Sequence, residues 1–83
     1  MQVLTREQIR AARAAIGWSG TDLAQAAEVS LRTITKLEVS PIMPDVRYST
    51  LLRIKSSLEA QGIEFITAPD GSPGIVIRPQ PIV

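Results

Sequence analysis

The sequence predicts a mainly α fold, a helix-turn-helix bundle of about four helices that ends in a C-terminal β-hairpin, and three observations predict it. Thr5, Ser19 and Ser30, whose side-chain oxygens suit a helix N-cap, each stand immediately before a helical stretch. Apolar residues flank each cap at the N′ and N4 positions of a hydrophobic staple: Leu4 with Ile9, Trp18 with Leu23, Val29 with Ile34. Beyond Gly62 the residues become β-branched and aromatic and turn residues cluster, the pattern of strands.

The first helix starts after Thr5, because Thr5-Arg6-Glu7-Gln8 is a capping box, and Ile9, Ala12 and Ile16 give it an inward stripe. Gly17 ends it as a C′ residue. Arg6 and Arg10 read as a solvated face. The second and third helices are Gly20–Ala26 and Leu31–Glu38, joined through Ala27, Glu28 and Val29. Two capped helices so close together must cross steeply, which makes a helix-turn-helix. Leu23, Ala24 and Ala27 of the first pack inward against Val29, Ile34 and Leu37 of the second.

Two prolines then interrupt the segment Val39–Asp45, which is therefore a loop. A fourth helix runs from about Arg47 to Gln61 on Leu51, Ile54 and Leu58, with Leu52 widening the stripe. Gly62 closes it, with Leu58 against Ile63 in a Schellman arrangement. Ile63–Ala68 and Ile75–Arg78 form the hairpin around Pro69-Asp70-Gly71-Ser72-Pro73-Gly74, and Pro79 and Pro81 limit pairing beyond it. Residues 1–62 thus form the helix-turn-helix part and residues 63–83 the hairpin and tail of the same domain.

Composition narrows the chemistry. At 83 residues a single core supplies only a few kcal/mol, so oligomerisation would help. With no cysteine and no histidine, no glycine-rich phosphate loop and no carboxylate pair set against a nucleophile, the expectation is not an enzyme, with no cofactor and no metal. There is no apolar run of bilayer length, and MQVLTREQ lacks the apolar core of a signal peptide. The expected location is the cytoplasm, on the nucleoid when DNA-bound. The net charge of +1 announces no nucleic-acid binder, so any footprint must lie in how the charges are distributed.

In a helix-turn-helix the N-terminal residues of the second helix meet base edges in the major groove. The side of that helix left over by the core carries Leu31, Arg32, Thr33, Thr35 and Lys36. Arg32 can donate two bonds to guanine N7 and O6, Lys36 can reach a second guanine or a phosphate, and Leu31 suits a thymine methyl. Leu31, Arg32, Thr35 and Lys36 are the expected base contacts. Gly20 and Thr21, at a helix N-terminus, are expected to hold phosphate, as are Ser30 and Thr33; the plain alternative for Thr21 is a surface residue.

The chain resembles the Cro/C1-type helix-turn-helix domains of phage repressors, the XRE family. The resemblance rests on Leu23-Ala24, on the apolar residue before the second cap, on Ile34-x-x-Leu37-Glu38, and on the lead-in Ile9-Arg10-x-x-Arg13-x-x-x-Gly17-Trp18-Ser19. It implies a lambda-repressor-like bundle, and it implies that Arg13 pairs with Glu38 as a structural salt bridge setting the tilt of the third helix. It also implies that the loop after that helix follows the DNA backbone, making Ser40 and Arg47 phosphate contacts. Two residues depart from the pattern. Gly20 stands where a phosphate-binding glutamine is common, and Glu28 replaces the turn glycine, so Glu28 must take a positive φ or the turn must differ locally.

The hairpin is not typical of the minimal repressor domain. Two strands alone are marginal in water, and pairing with a second copy would cover their edges. Ile63, Phe65, Ile75, Val76 and Ile77 are therefore the expected dimerisation residues; the competing view lays the hairpin over the first and fourth helices. The implied function is a homodimeric repressor of an inverted-repeat operator on double-stranded DNA, including its own promoter. The alternative is an antitoxin-type or other protein-interaction module that binds a partner protein through the hairpin.

Overall fold

The first three helices start at the residues that the capping pattern singles out, whereas the fourth begins after Arg47 without a side-chain cap. In the computed structural model, which describes residues 4–40 and 45–78, the order is α1 (Arg6–Ala15), α2 (Gly20–Ala27), α3 (Leu31–Val39), α4 (Tyr48–Glu59), β1 (Ile63–Thr67) and β2 (Pro73–Ile77). Thr5 Oγ1 accepts from the Gln8 N–H while Gln8 Oε1 accepts from the Thr5 N–H, a closed capping box. Ser19 does the same with Asp22. Ser30 caps α3 by accepting from the Thr33 N–H. Of the expected loop, residues 41–44 lie outside the described residues, as do Pro79 and Pro81.

The ends of α1 and α2 explain how the chain turns so tightly. After α1, Trp18 N–H reaches the Arg13 carbonyl and Gly17 N–H reaches the Ala14 carbonyl, the two bonds of a Schellman closure, with Gly17 at φ 72°. After α2 the same pair runs from Val29 to Ala24 and from Glu28 to Gln25. Here the left-handed residue is Glu28, at φ 58°. The turn geometry is kept and the glutamate bears its conformational cost. Arg53 of α4 donates to the Glu28 carbonyl at 3.2 Å, a bond that steadies the turn from outside.

The core gathers Leu4, Ile9, Ala12, Leu23, Ala24, Ala27, Ile34, Leu37, Leu51, Ile54, Leu58 and Ile63: the residue before the first cap, one stripe from each helix and the first residue of β1. Leu52 departs from expectation. It is 39% exposed and lies outside the stripe, because Leu51, Ile54 and Leu58 already fill the inward side of α4.

The strands pair antiparallel in register Ile63↔Ile77, Phe65↔Ile75 and Thr67↔Pro73. Pro73 enters as the first residue of its strand, where a missing N–H is tolerated. Gly71 N–H bonds the Ala68 carbonyl and Ala68 N–H bonds the Ser72 carbonyl, so Pro69, Asp70 and Gly71 make a three-residue loop. Asp70 accepts from the Ser72 N–H.

The hairpin lies against its own helices. Ile63 is 2% exposed, and Phe65 and Ile75 pack half-buried on the core. Of the five residues expected at a dimer interface, these three therefore serve the fold of a single chain, because alternation turns them toward the helices. Ile77 stays exposed and Val76 half-buried. Gln8 ties the hairpin down: its Nε2 donates to the Gly74 carbonyl at 2.9 Å and, more weakly, to the Ile66 carbonyl at 3.4 Å. Gln8→Ala removes these bonds and one arm of the α1 capping box, at a cost of about 1–2 kcal/mol. The melting temperature should fall by roughly 5–10 °C, and hydrogen exchange should rise first at the β1 and β2 amides. Exchange rising equally everywhere would show that Gln8 does not anchor the hairpin in particular.

Candidate nucleic-acid interface

The outer side of α3 is a shallow open groove lined by Leu31, Arg32, Thr35, Lys36, Val39 and Ser40. All four expected base-contacting residues lie along it. The helical period explains the set: Ile34, Leu37 and Glu38 turn to the interior, leaving the complementary positions outside. Val39 was assigned to the loop on sequence; because α3 continues one residue further, it joins the groove as an exposed apolar residue.

Most helical cations outside this surface are engaged, although exposed Arg10 on α1 and exposed Arg47 before α4 also hold no ion pair among the described residues. Arg6, Arg13, Lys55 and Arg78 are ion-paired with Glu7, Glu38, Glu59 and Glu64. Among the described residues, neither the Arg32 nor the Lys36 side chain has an ion-pair or hydrogen-bond partner. A nearly neutral protein thus keeps two unengaged cations one helical turn apart on one exposed helix. In the field of DNA they have no internal partner to give up.

Behind the groove, the bridge implied by the family resemblance is present. Arg13 Nε donates to Glu38 Oε2 at 2.9 Å and Nη2 to Oε1 at 2.7 Å, while Nη1 donates to the Trp18 carbonyl at 3.0 Å. One guanidinium therefore joins α1, the turn before α2 and the last full turn of α3. The Glu38 side chain is 9% exposed and that of Arg13 27%. The bond to Glu38 raises the Arg13 guanidinium above its already high ordinary range, so the cation persists at every pH of interest.

The expected phosphate contacts divide. Gly20 begins α2 directly beneath Leu31: a Cβ built on Gly20 would stand 3.2 Å from Leu31 Cδ1. The two helix starts are thus adjacent, and Thr21, next to Gly20, is exposed. Asp22 weakens that helix end as an anion seat. Its carboxylate occupies the Ser19 N–H at 2.8 Å and places a negative charge where a phosphate would sit. Ser30 Oγ and Thr33 Oγ1 are 2.9 Å apart and share one hydrogen, so only one of the two hydroxyl hydrogens remains to donate outward. Ser40 ends α3, its N–H on the Lys36 carbonyl. Arg47 precedes α4 with an exposed side chain that does not cap the helix.

Sequence reasoning missed the second role of Gln8 and the bond from Arg53 to the turn. Both depend on contacts between distant segments, which local patterns do not carry. Among the described residues no helix is long and apolar enough to cross a membrane. The chain matches no protein-family model and no curated protein.

Proposed function

We propose that this protein is a sequence-specific DNA-binding transcriptional regulator of the Cro/C1 type, acting in the cytoplasm. Two copies set their α3 helices into successive major grooves on one face of double-stranded DNA, half-sites roughly 34 Å apart. Arg32 and Lys36 read base edges with Thr35 and Leu31, and Arg47, Thr21 and the Ser30–Thr33 pair meet the backbone. The chain represses by occupying the operator, its own promoter included. The observation that supports this most is the pair of unengaged cations on the exposed side of α3, in a protein whose other helical cations are mostly paired.

Selection of duplexes from a random pool with the purified protein tests the reading. The expected product is a set of inverted repeats with half-sites one helical turn apart, bound by a dimer seen in light scattering on the enriched duplex. Sites without two-fold symmetry, bound one chain at a time, would remove the dimer. A pool without enrichment would remove sequence-specific DNA binding.

A second reading, an antitoxin-type or other protein-interaction module, is favoured by the hairpin. Its sheet has two strands, and exposed Ile66 and Ile77 lie on them beside edges that no other described strand covers. A partner strand could add there. In that case Ile77→Lys would release the partner protein and leave DNA affinity unchanged.

A further inference from the structure

We infer that Leu31 is a specificity residue that reads the 5-methyl group of one thymine in each half-site, and that Gly20 is the residue that presents it. This rests on the proposal that α3 enters the major groove and goes beyond it by assigning a chemical group to one side chain. Leu31 is the first residue of α3, and N-terminal positions of such a helix approach base edges. It is 48% exposed, an unusual position for leucine, and it lines the outer groove beside two cations.

The support for Leu31 is specific. Leu31 Cδ1 occupies the space in which a side chain at position 20 would begin, 3.2 Å from the Cβ position, while Ile34 Cγ2 lies 3.9 Å from the same point. The absence of a Cβ at Gly20 lets the leucine rest on the α2 backbone with its other face outward. A methyl group fits this arrangement better than any polar base edge, because a half-exposed aliphatic surface cannot satisfy the donors and acceptors of a base it would desolvate. In the major groove the thymine 5-methyl is the apolar group that a natural base pair offers. Arg32 and Lys36, adjacent to Leu31 and one turn beyond it, supply the attraction to phosphate and guanine that brings the leucine into range.

The test uses a duplex enriched by selection from a random pool. Each thymine is replaced in turn by deoxyuridine, which removes the methyl and keeps the Watson–Crick pairing. One position per half-site is expected to weaken wild-type binding about fourfold, the value of one buried methyl-sized group. At that position Leu31→Ala should be indifferent to the replacement, while guanine preference at the other positions is retained. Gly20→Ala, which must displace the leucine by a few tenths of an ångström, should reduce the uridine effect while the protein melts cooperatively. Uridine tolerated at every thymine, or an effect of equal size in Leu31→Ala, overturns the inference and leaves the DNA reading standing. A pool without enrichment overturns both.

Discussion

Arg32→Ala is expected to weaken operator binding by about 2 kcal/mol per half-site, roughly thirtyfold, with little change in melting temperature. The two halves of this expectation have separate causes. Arg32 is exposed and, among the described residues, holds no ion pair, so its removal costs the fold almost nothing. On DNA its planar fork would meet guanine N7 and O6 in a bidentate contact that lysine does not reproduce. Arg32→Lys should therefore recover affinity for all sequences by restoring charge, yet leave the preference for guanine largely lost. Affinities for the selected duplex and for one with that guanine changed to adenine, measured at fixed salt, give the comparison. If Arg32→Ala lowers both affinities equally, the residue touches only phosphate, and base reading moves to Lys36 and Thr35.

How far the sequence carried can be judged element by element. The helix starts were legible because capping is local: a hydroxyl at Thr5, Ser19 or Ser30 and its staple residues lie within a few positions of one another. Glu28 was legible as a choice between two outcomes, and the structure takes the positive φ. The extent of α3 was less so, since Val39 continues the helix by one residue without a signal of its own. The hairpin shows the limit most clearly. Its strands and loop follow from residue types, but the bond that ties it to α1 comes from Gln8, a polar residue whose local role was already accounted for by the capping box. Ile63, Phe65 and Ile75, expected at a partner or else over the first and fourth helices, pack on the chain's own core, Ile63 buried and the other two half-buried. For the candidate interface, period alone separated Arg32 and Lys36 from Ile34 and Leu37; the support that Gly20 gives Leu31 required coordinates.

Glu38→Ala should produce the largest loss of stability. It leaves the Arg13 guanidinium facing the space of the lost carboxylate, bonded only to the Trp18 carbonyl. Because Arg13 is 27% exposed, water can reach the stranded cation, and the cost should be about 2 kcal/mol, below that of a fully buried pair. For a domain of this size the melting temperature should fall by roughly 10 °C. The double variant Arg13→Met, Glu38→Leu separates the possible roles of the bridge. Apolar replacement removes both charges together, so it should regain most of the lost melting temperature. If the pair serves only the stability of the fold, the double variant should bind the selected duplex within a fewfold of wild type, since neither residue lines the outer groove. If the bridge sets the tilt of α3, or Arg13 itself contacts DNA, the double variant should fold well and bind poorly. A Glu38→Ala protein that melts with the wild type would show that packing of Ile34 and Leu37 alone sets the position of α3, and that the bridge adds nothing measurable to it.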